Sequence, residues 1–329
     1  MSVEFRNVVK RYGQATAVAG VSFTVDEGAL VTLLGPSGCG KTTTLRMIAG
    51  LELPSEGRIL IAGRDVTTLG ATERDVSMVF QSYALFPHMS VLENVSYGLR
   101  RSGRAKNQAQ KQALEGLAQV GLEGYGERQP SELSGGQQQR VAVARALVLE
   151  PSVLLFDEPL SNLDARLRVS MRAEIRALQK SLGITAIYVT HDQEEAMSVS
   201  DRIALMNAGR LEQVGLPVDI YRHPVSRFAA EFMGTTNLVK ATELGLAAPV
   251  WVSLRPEALR FAEEAPAGWQ RLSATVAQLE MLGPLTRLDL TLANGTPIRM
   301  ATLDAPNHIL TAGAVVSLAF DTTRLTVVP

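Results

Sequence analysis

Short apolar runs recur along the amino-terminal part of the chain, each bounded by turn residues. They are Leu30–Leu34, Val76–Phe80, Val153–Phe156 and Thr185–Thr190. Runs of this length are typical of strands that are buried on both faces. The stretches between them carry apolar side chains at helical spacing, in 42–49, 91–120, 138–149 and 165–181. This succession of buried strands and helices predicts an α/β fold.

Alternating apolar and polar residues mark a different kind of strand near the amino terminus. Residues 3–9 and 21–25 are predicted as paired strands that flank a loop at 10–17. A further strand is predicted at 57–63, between two glycines. These strands suggest an antiparallel β subdomain beside the α/β core.

Alternation returns in the last part of the chain. Leu288, Leu290 and Leu292 face one way, the pair Asn294-Gly295 predicts a hairpin turn, and the apolar face resumes in the following strand. With similar stretches at 250–254, 272–279 and 314–320, this gives about five short strands and suggests a small barrel. A chain of 329 residues is long for one core, so a second domain is expected.

Composition and charge exclude several classes of protein. A net charge of −1 and a pI near 6.5 give no electrostatic footprint for nucleic acid. A single cysteine excludes an internal disulfide and suits a reducing compartment. The start, Met1–Phe5, shows no charged leader or signal core, and no apolar run approaches the roughly 20 residues needed to cross a bilayer. We therefore expect an intracellular protein whose membrane partners, if any, are other chains.

The stretch Gly35–Thr42 fits the phosphate-binding pattern Gly, four residues, Gly-Lys-Ser/Thr. It lies between a buried strand and a helix, so free backbone N–H groups and the positive end of the helix dipole converge on one point. Lys41 would pair with the β- and γ-phosphates, and the Thr42 hydroxyl would bind Mg²⁺. Cys39, inside this loop, is interpreted as a small filler residue.

Two residues near this loop allow more than one interpretation. Tyr12 is either a packing aromatic or a ring that stacks on a nucleotide base. Gln81 follows a buried strand and is either a plain loop residue or a ligand of Mg²⁺ or water near the γ-phosphate. The apolar loop 82–89 is either core or a docking surface for a partner.

A second glycine-rich helix start occurs at Leu133-Ser134-Gly135-Gly136-Gln137. Ser134 is a plausible N-cap, and the two glycines would let a ligand approach the backbone. This is a second potential anion site.

Two acids, Asp157 and Glu158, end a buried strand. Burying carboxylates is costly unless a metal or a donor compensates, so they indicate a site. Asp157 fits the Mg²⁺ shell, and Glu158 fits the base that polarises the attacking water. His191 ends another buried strand, at the edge where open α/β sheets bind ligands.

Together these motifs resemble the ATP-binding-cassette ATPase family. The phosphate loop, Gln81, the signature at 133–137, Asp157-Glu158, the segment Ser161–Asp164 and His191 occur in family order, over roughly 3–235. The stretches after Gln81 and Asp157 resemble importers of sugars, polyamines, ferric iron, sulfate or phosphonates, with the closest similarity to the iron and polyamine branch. The resemblance implies a P-loop NTPase cassette, 1–236, with a helical insert at about 85–150. The implied second domain, 237–329, resembles an oligonucleotide-fold-like barrel with a dimerisation or regulatory role.

The resemblance also implies the site residues. Catalytic roles fall to Glu158, His191 and Gln81, and Mg²⁺ binding to Thr42, Gln81 and Asp157. ATP binding is implied for Tyr12, Gly35, Pro36, Ser37, Gly38, Cys39, Gly40, Lys41, Thr42, Thr43, Ser134, Gly135, Gly136, Gln137 and Asp164.

The implied partners explain why one chain carries two anion sites. Two copies would close head to tail, so that each signature completes the ATP site of the other copy. The loop after Gln81 would receive a helix of a transmembrane permease, which places the chain at the cytoplasmic face of the inner membrane as a peripheral subunit. A periplasmic or extracellular solute-binding protein would be an indirect partner.

Two alternatives remain open at this stage. A soluble cassette protein acting on nucleic acid or ribosomes would usually join two cassettes or carry a long coiled-coil insert, and neither is present. A non-hydrolysing regulatory module disagrees with the intact Glu158 and His191.

Overall fold

The computed structural model describes residues 2–303 and 311–329. The chain forms two compact units, Met1–Pro217 and Val218–Pro329. The domain boundary predicted between 236 and 237 stays a prediction, and the parts of the predicted domains at Met1 and 304–310 lie outside the described residues. Within the described ranges, no helix is both long and apolar enough to span a bilayer.

The first unit contains a four-stranded antiparallel sheet with the order β2-β1-β4-β5. Its strands are β1 (Val3–Tyr12), β2 (Ala15–Val25), β4 (Glu56–Ile61) and β5 (Arg64–Asp65). The prediction of a loop at 10–17 is wrong. Strand β1 extends to Tyr12, β2 begins at Ala15, and these two residues pair. Gly13, at φ 57°, makes the tight turn, and Arg11 lies on an exposed part of the strand.

A six-stranded sheet forms the centre of this unit. Its order is β10-β9-β3-β8-β7-β6, and it is parallel except for β10 against β9. The strands are β3 (Leu30–Leu34), β6 (Val76–Val79), β7 (Val153–Asp157), β8 (Thr185–Thr190), β9 (Arg202–Asn207) and β10 (Arg210–Gly215). Every residue of β3, β7 and β8 is buried, as their apolar runs predict. Because these strands are parallel, their carboxyl ends meet at one edge of the sheet.

Six helices surround this sheet in the described part of the unit. They are α1 (Lys41–Ala49), α2 (Val91–Arg101), α3 (Lys106–Gln119), α4 (Gly135–Leu147), α5 (Ala165–Leu182) and α6 (Gln193–Val199). Helices α2, α3 and α4 pack together within the predicted helical insert, around Leu99, Ala113 and Ala144. Gly50, at φ 71°, ends α1 as predicted.

The second unit is mostly β structure. It begins with α7 (Pro217–Arg222) and α8 (Arg227–Phe232). A three-stranded sheet, β11-β12-β18, and a five-stranded antiparallel sheet, β13-β17-β14-β15-β16, follow. Their strands are β11 (Asn237–Lys240), β12 (Trp251–Leu254), β13 (Leu259–Phe261), β14 (Gln270–Leu282), β15 (Leu285–Leu292), β16 (Pro297–Thr302), β17 (Val315–Phe320) and β18 (Thr326–Val327). A small all-β domain is therefore confirmed, with more strands in the described residues than the five that alternation revealed.

Candidate active site

The phosphate loop joins β3 to α1, and three of its glycines have positive φ. A Cβ on Gly35 (φ 156°) would lie 2.2 Å from the carbonyl oxygen of Met206, and one on Gly40 (φ 101°) would lie 2.5 Å from that of Ala17. Gly38 (φ 78°) has open space around it. Packing therefore requires glycine at two positions, while backbone conformation favours it at the third.

Lys41 is almost fully buried at the start of α1, with 4% of its surface exposed. Its Nζ donates to the carbonyl oxygens of Gly35 at 2.7 Å and Pro36 at 2.9 Å. Gly40 caps α1 without a side-chain hydrogen bond, and no acidic residue lies in the first turn. Among the described oxygens, these two carbonyls are the only hydrogen-bond acceptors of Lys41, so no described carboxylate forms a hydrogen bond with its ammonium. The buried ammonium and the positive end of the helix dipole together favour an anion at this point.

Cys39 lies beneath this loop with 3% of its surface exposed. Burial raises the pKa of its thiol, and the nearby Lys41 only partly offsets this effect. A neutral, buried thiol at this position supports its interpretation as a filler residue.

Thr42 and Asp157 come together where α1 begins and β7 ends. The Thr42 hydroxyl donates to Asp157 Oδ1 at 3.5 Å. Asp157 is 9% exposed, and burial raises the pKa of its carboxyl, while Arg46 lowers it. The pair offers the hydroxyl and carboxylate oxygens that Mg²⁺ prefers. The described residues contain no cluster of three or more His, Cys, Asp or Glu that could hold a metal, so protein ligands at this point are few.

Glu158 and His191 also meet at this edge. Glu158 Oε2 lies 3.2 Å from His191 Nδ1. Glu158 adopts a left-handed conformation, φ 46°, which is unusual for a residue with a Cβ. Its backbone N–H donates to the Val189 carbonyl oxygen at 3.0 Å, and its own carbonyl oxygen accepts from the Ser161 hydroxyl at 2.9 Å. The fold therefore holds this backbone in a strained form that places the carboxylate beside the imidazole.

Gln81 lies on the surface after β6. Its carbonyl oxygen accepts from Asn162 Nδ2 at 2.9 Å. That bond joins the Gln81 loop to the segment Ser161–Asp164. The Asp164 carboxylate caps α5 by accepting from the Leu167 N–H at 2.9 Å.

Tyr12 ends β1 with 47% of its surface exposed, so it is not a buried packing aromatic. Its hydroxyl donates to Glu52, and Lys10 Nζ lies 4.9 Å from the ring centroid. The exposed ring is available for stacking, and its role in binding a base stays a prediction.

The signature at 133–137 forms a reciprocal capping box at the start of α4. Ser134 Oγ accepts from the Gln137 N–H at 3.4 Å, and Gln137 Oε1 accepts from the Ser134 N–H at 2.9 Å. A Cβ on Gly135 would lie 3.0 Å from Leu163 Cδ2, so this helix start packs on the segment Ser161–Asp164. Among the residues that the structure describes, no hydrogen bond or ion pair joins the signature to the phosphate loop. The two anion sites are therefore separate within one chain.

Arg145, on α4, is a residue that the sequence analysis missed. Its guanidinium donates to the carbonyl oxygens of Tyr83 at 2.8 Å and Ala84 at 2.7 Å, two residues with left-handed backbones. Burial lowers the pKa of this guanidinium. An arginine among the apolar positions of α4 was the available signal in the sequence.

The loop 82–89, for which the sequence allowed either a core or a docking role, contains both buried and exposed apolar residues. Tyr83 is buried, with 5% of its surface exposed, and belongs to the core. Phe86 instead lines a mostly apolar groove of about 440 Å³, together with Phe80, which precedes Gln81, and with Leu51, Leu149 and Arg145.

Comparisons with known proteins agree with this geometry. A family model described as "ABC transporter" matches 18–161, and one described as "TOBE domain" matches 252–328. The chain is 57% identical over 304 residues to the Fe(3+) ions import ATP-binding protein FbpC of Brucella abortus, covering 86% of this chain and 85% of that protein. It is 66% identical over 238 residues to the corresponding protein, FbpC 1, of Rhizobium meliloti, covering 72% and 67%.

Solved structures give the same result for the cassette. The dimeric post-hydrolysis structure of the ATP-binding cassette MJ0796, bound to ADP and Pi, matches with a TM-score of 0.58 at 34% identity, covering 65% of this chain and 98% of that one. The structure of cbiO1 from Clostridium perfringens matches with a TM-score of 0.62 at 30% identity, covering 66% and 89%.

Proposed function

This chain belongs to the ABC transporter family, and we propose that it powers the uptake of ferric iron through a membrane permease. It is an ATP-hydrolysing subunit of an ABC importer. The observation that carries the catalytic assignment is the meeting of four groups at one sheet edge. They are the anion site at Lys41, the Thr42–Asp157 pair, Glu158 and His191.

The residue roles follow from this arrangement. Lys41 and the N–H groups at the start of α1 hold the phosphates of ATP, with the Tyr12 ring against the base. Glu158 accepts a proton from the attacking water, and His191, at 3.2 Å from its carboxylate, orients that carboxylate and the γ-phosphate. Gln81, whose carbonyl oxygen accepts from Asn162 Nδ2, would act on Mg²⁺ or water near the γ-phosphate through its side chain.

Mg²⁺ fits the pair Thr42 and Asp157, whose oxygens lie 3.5 Å apart at a partly buried point beside the phosphate loop. When bound there, the ion would neutralise charge on the phosphates of ATP. Gln81 would be a further ligand.

A second copy of the chain completes the site. The signature Ser134–Gln137 has no described contact with its own phosphate loop, yet it presents a helix start suited to a phosphate. The solved structures of the cassette MJ0796 are dimeric. We infer that Ser134, Gly135, Gly136, Gln137 and Asp164 act on ATP bound by the other copy.

The permease docks in the apolar groove beside Gln81. Leu51, Phe80 and Leu149, each exposed by 38% or more, offer an apolar surface for a helix of the membrane subunit. With this docking, the chain would lie at the cytoplasmic face of the membrane, and a solute-binding protein would act on the far side. The chain has a net charge of −1 and so lacks the basic excess that is typical of nucleic-acid-binding proteins. This disfavours the alternative of an ATPase that acts on nucleic acid.

Ferric iron is proposed because the relatives named above are iron import proteins and share most of their length with this chain. The test is uptake of radiolabelled ferric iron by cells that lack the chain and are complemented with wild type or Glu158→Gln. We expect the variant to abolish ferric uptake and to leave spermidine uptake unchanged. Loss of spermidine uptake with normal iron uptake would overturn the iron assignment in favour of a polyamine.

A further inference from the structure

A buried group of hydroxyl and charged side chains lies directly behind His191. Thr190 Oγ1 donates to Glu195 Oε2 at 2.7 Å and accepts from the N–H of Asp192 at 3.0 Å. The Tyr188 hydroxyl donates to the same Glu195 oxygen at 3.2 Å. Glu195 is 3% exposed and Thr190 is 2% exposed. Thr190 and Asp192, the residues on both sides of His191, are thus linked to the buried Glu195 carboxylate, Asp192 through the Thr190 hydroxyl.

Two arginines of α5 face this group: Arg168 Nη1 lies 3.7 Å from Asp192 Oδ2, and Arg172 makes the shorter and more numerous contacts. Arg172 Nη2 lies 3.1 Å from Asp192 Oδ2 and 4.0 Å from Glu195 Oε1, and its Nη1 lies 3.4 Å from Glu194 Oε2. The other Asp192 oxygen accepts from the Glu195 N–H at 3.1 Å and caps α6. Arg172 is therefore shared by acids that lie on the carboxyl side of His191.

Burial is the main influence on the Glu195 carboxyl, and Arg172 is one of several neighbours that also affect its pKa. Burial raises the pKa of Glu195, the Thr190 hydrogen bond lowers it, Asp192 raises it again, and Arg172 lowers it. Arg172 Nε is buried and has no hydrogen-bond partner among the described residues. Arg172 is only 9% exposed, and its described hydrogen bonds, to Asp192 and Glu194, are the same contacts as its ion pairs. We therefore infer that the acids after His191 hold its guanidinium in place.

His191 needs such support because its own side chain is 57% exposed. An exposed imidazole has few packing contacts that could fix it, so the backbone at Thr190 and Asp192 determines where it lies. Its distance to Glu158, 3.2 Å, depends on that backbone.

We propose that Arg172 and Glu195 are positioning residues that hold His191 against Glu158. Helix α5 begins at its Asp164 cap, about two turns before Arg172, so the same helix connects the segment Ser161–Asp164 to His191. Movement of that segment when two copies close is thereby transmitted to His191. This inference rests on the proposed catalytic role of His191.

The test is ATP turnover by the full chain at saturating ATP, together with nucleotide affinity. We expect Arg172→Met to lower kcat by about 10- to 100-fold, as small misplacements of catalytic groups do. The Kd for ATP should stay within about 2-fold, because Arg172 lies outside the phosphate loop and its contacts are with the acids after His191. Arg172→Lys, which keeps the charge, should recover part of the lost kcat.

Arg176→Met is the matched control. Arg176 lies one turn further along α5 and pairs with Asp201, away from His191. We expect this variant to lower thermal stability and to leave kcat within about 2-fold of wild type. An equal loss of kcat in both variants would assign the effect to damage of α5 and overturn the proposal.

A double-mutant cycle separates positioning from general structure. In a His191→Ala background, Arg172→Met should have little further effect on kcat, because its target is gone. Additive losses would overturn the proposal. If Arg172→Met does not fold, Glu195→Gln replaces it in the cycle, since the amide oxygen still accepts from Thr190 and Tyr188.

These variants distinguish failure of the proposed catalytic role of His191 from failure of the positioning role of Arg172 and Glu195. If His191→Ala leaves kcat unchanged, the proposed role of His191 fails, and the positioning role fails with it. If His191→Ala lowers kcat while Arg172→Met and Glu195→Gln fold and keep wild-type kcat, only the positioning role fails.

Discussion

Replacing Glu158 by glutamine removes one negative charge from the site and almost no volume. The side chain would remain at 3.2 Å from His191 Nδ1, and the left-handed backbone at φ 46°, held by Ser161 and Val189, would not change. The amide cannot accept the proton of the attacking water. Loss of a general base typically costs about 10²- to 10⁴-fold in rate, which corresponds to roughly 2.7 to 5.4 kcal/mol in the barrier.

The assay is phosphate release at saturating ATP, with ATP affinity measured in parallel on the same preparation. We expect kcat to fall by that factor and the Kd for ATP to stay within about 2-fold, because the proposed phosphate contacts, from Lys41 and the loop N–H groups, do not involve Glu158. Nucleotide-dependent dimerisation should become more persistent, since hydrolysis no longer separates the two copies.

Glu174→Gln is the control for this substitution. Glu174 pairs with Arg140 at 2.7 Å on a partly exposed surface, so its loss should cost at most about 1 kcal/mol of stability and leave turnover unchanged. A Glu158→Gln enzyme with kcat within about 3-fold of wild type would refute the general-base assignment.

Three further predictions follow from the same site. Lys41→Ala should weaken ATP binding by roughly 1.5 to 3 kcal/mol, the value of a charge-assisted hydrogen bond, and unchanged affinity in a binding titration would contradict the anion site. Gly35→Ala should abolish or strongly reduce soluble expression, because its Cβ would lie 2.2 Å from a backbone oxygen of Met206; a stable, ATP-binding variant would contradict this packing. Burial raises the pKa of Asp157 in the folded state, so its contribution to stability is greatest at low pH and is lost as pH rises through that pKa. In magnesium-free buffer, Asp157→Asn should therefore have a higher Tm than wild type above pH ~4, and the difference in Tm should shrink as the pH falls. A difference in Tm that does not change with pH would contradict the raised pKa of Asp157.

The central sheet was predictable because its strands are buried on both faces, and such strands appear in the sequence as continuous apolar runs. The approach of Thr42 to Asp157 follows from the same pattern, since parallel strands bring their carboxyl ends to one edge. The extent of the first hairpin was not predictable from composition. Lys10 and Arg11 are typical of loops, yet they lie on a strand whose turn is only Gly13-Gln14.

Contacts made by charged side chains across long stretches of chain were also missed. Arg145 binds carbonyl oxygens 61 and 62 residues away, and Arg172 binds acids 20 and 22 residues away. In the sequence, Arg145 stands out only as an arginine among apolar positions of α4, and Arg172 resembles an ordinary polar position of α5. Only the packing of the two helices shows that Arg145 binds the carbonyl oxygens of a strained loop and that Arg172 binds the acids that follow His191.

The hydrogen bonding of Ser134 bears on how readily two copies assemble. Its oxygen accepts a bond from Gln137, while its own hydrogen has no described acceptor. A hydroxyl can do both at once, so the serine can donate to an incoming phosphate without giving up its place at the head of the helix. If, as proposed, this serine acts on ATP bound by a second copy, its donor is already available in the isolated chain, and no local rearrangement of the helix start is needed.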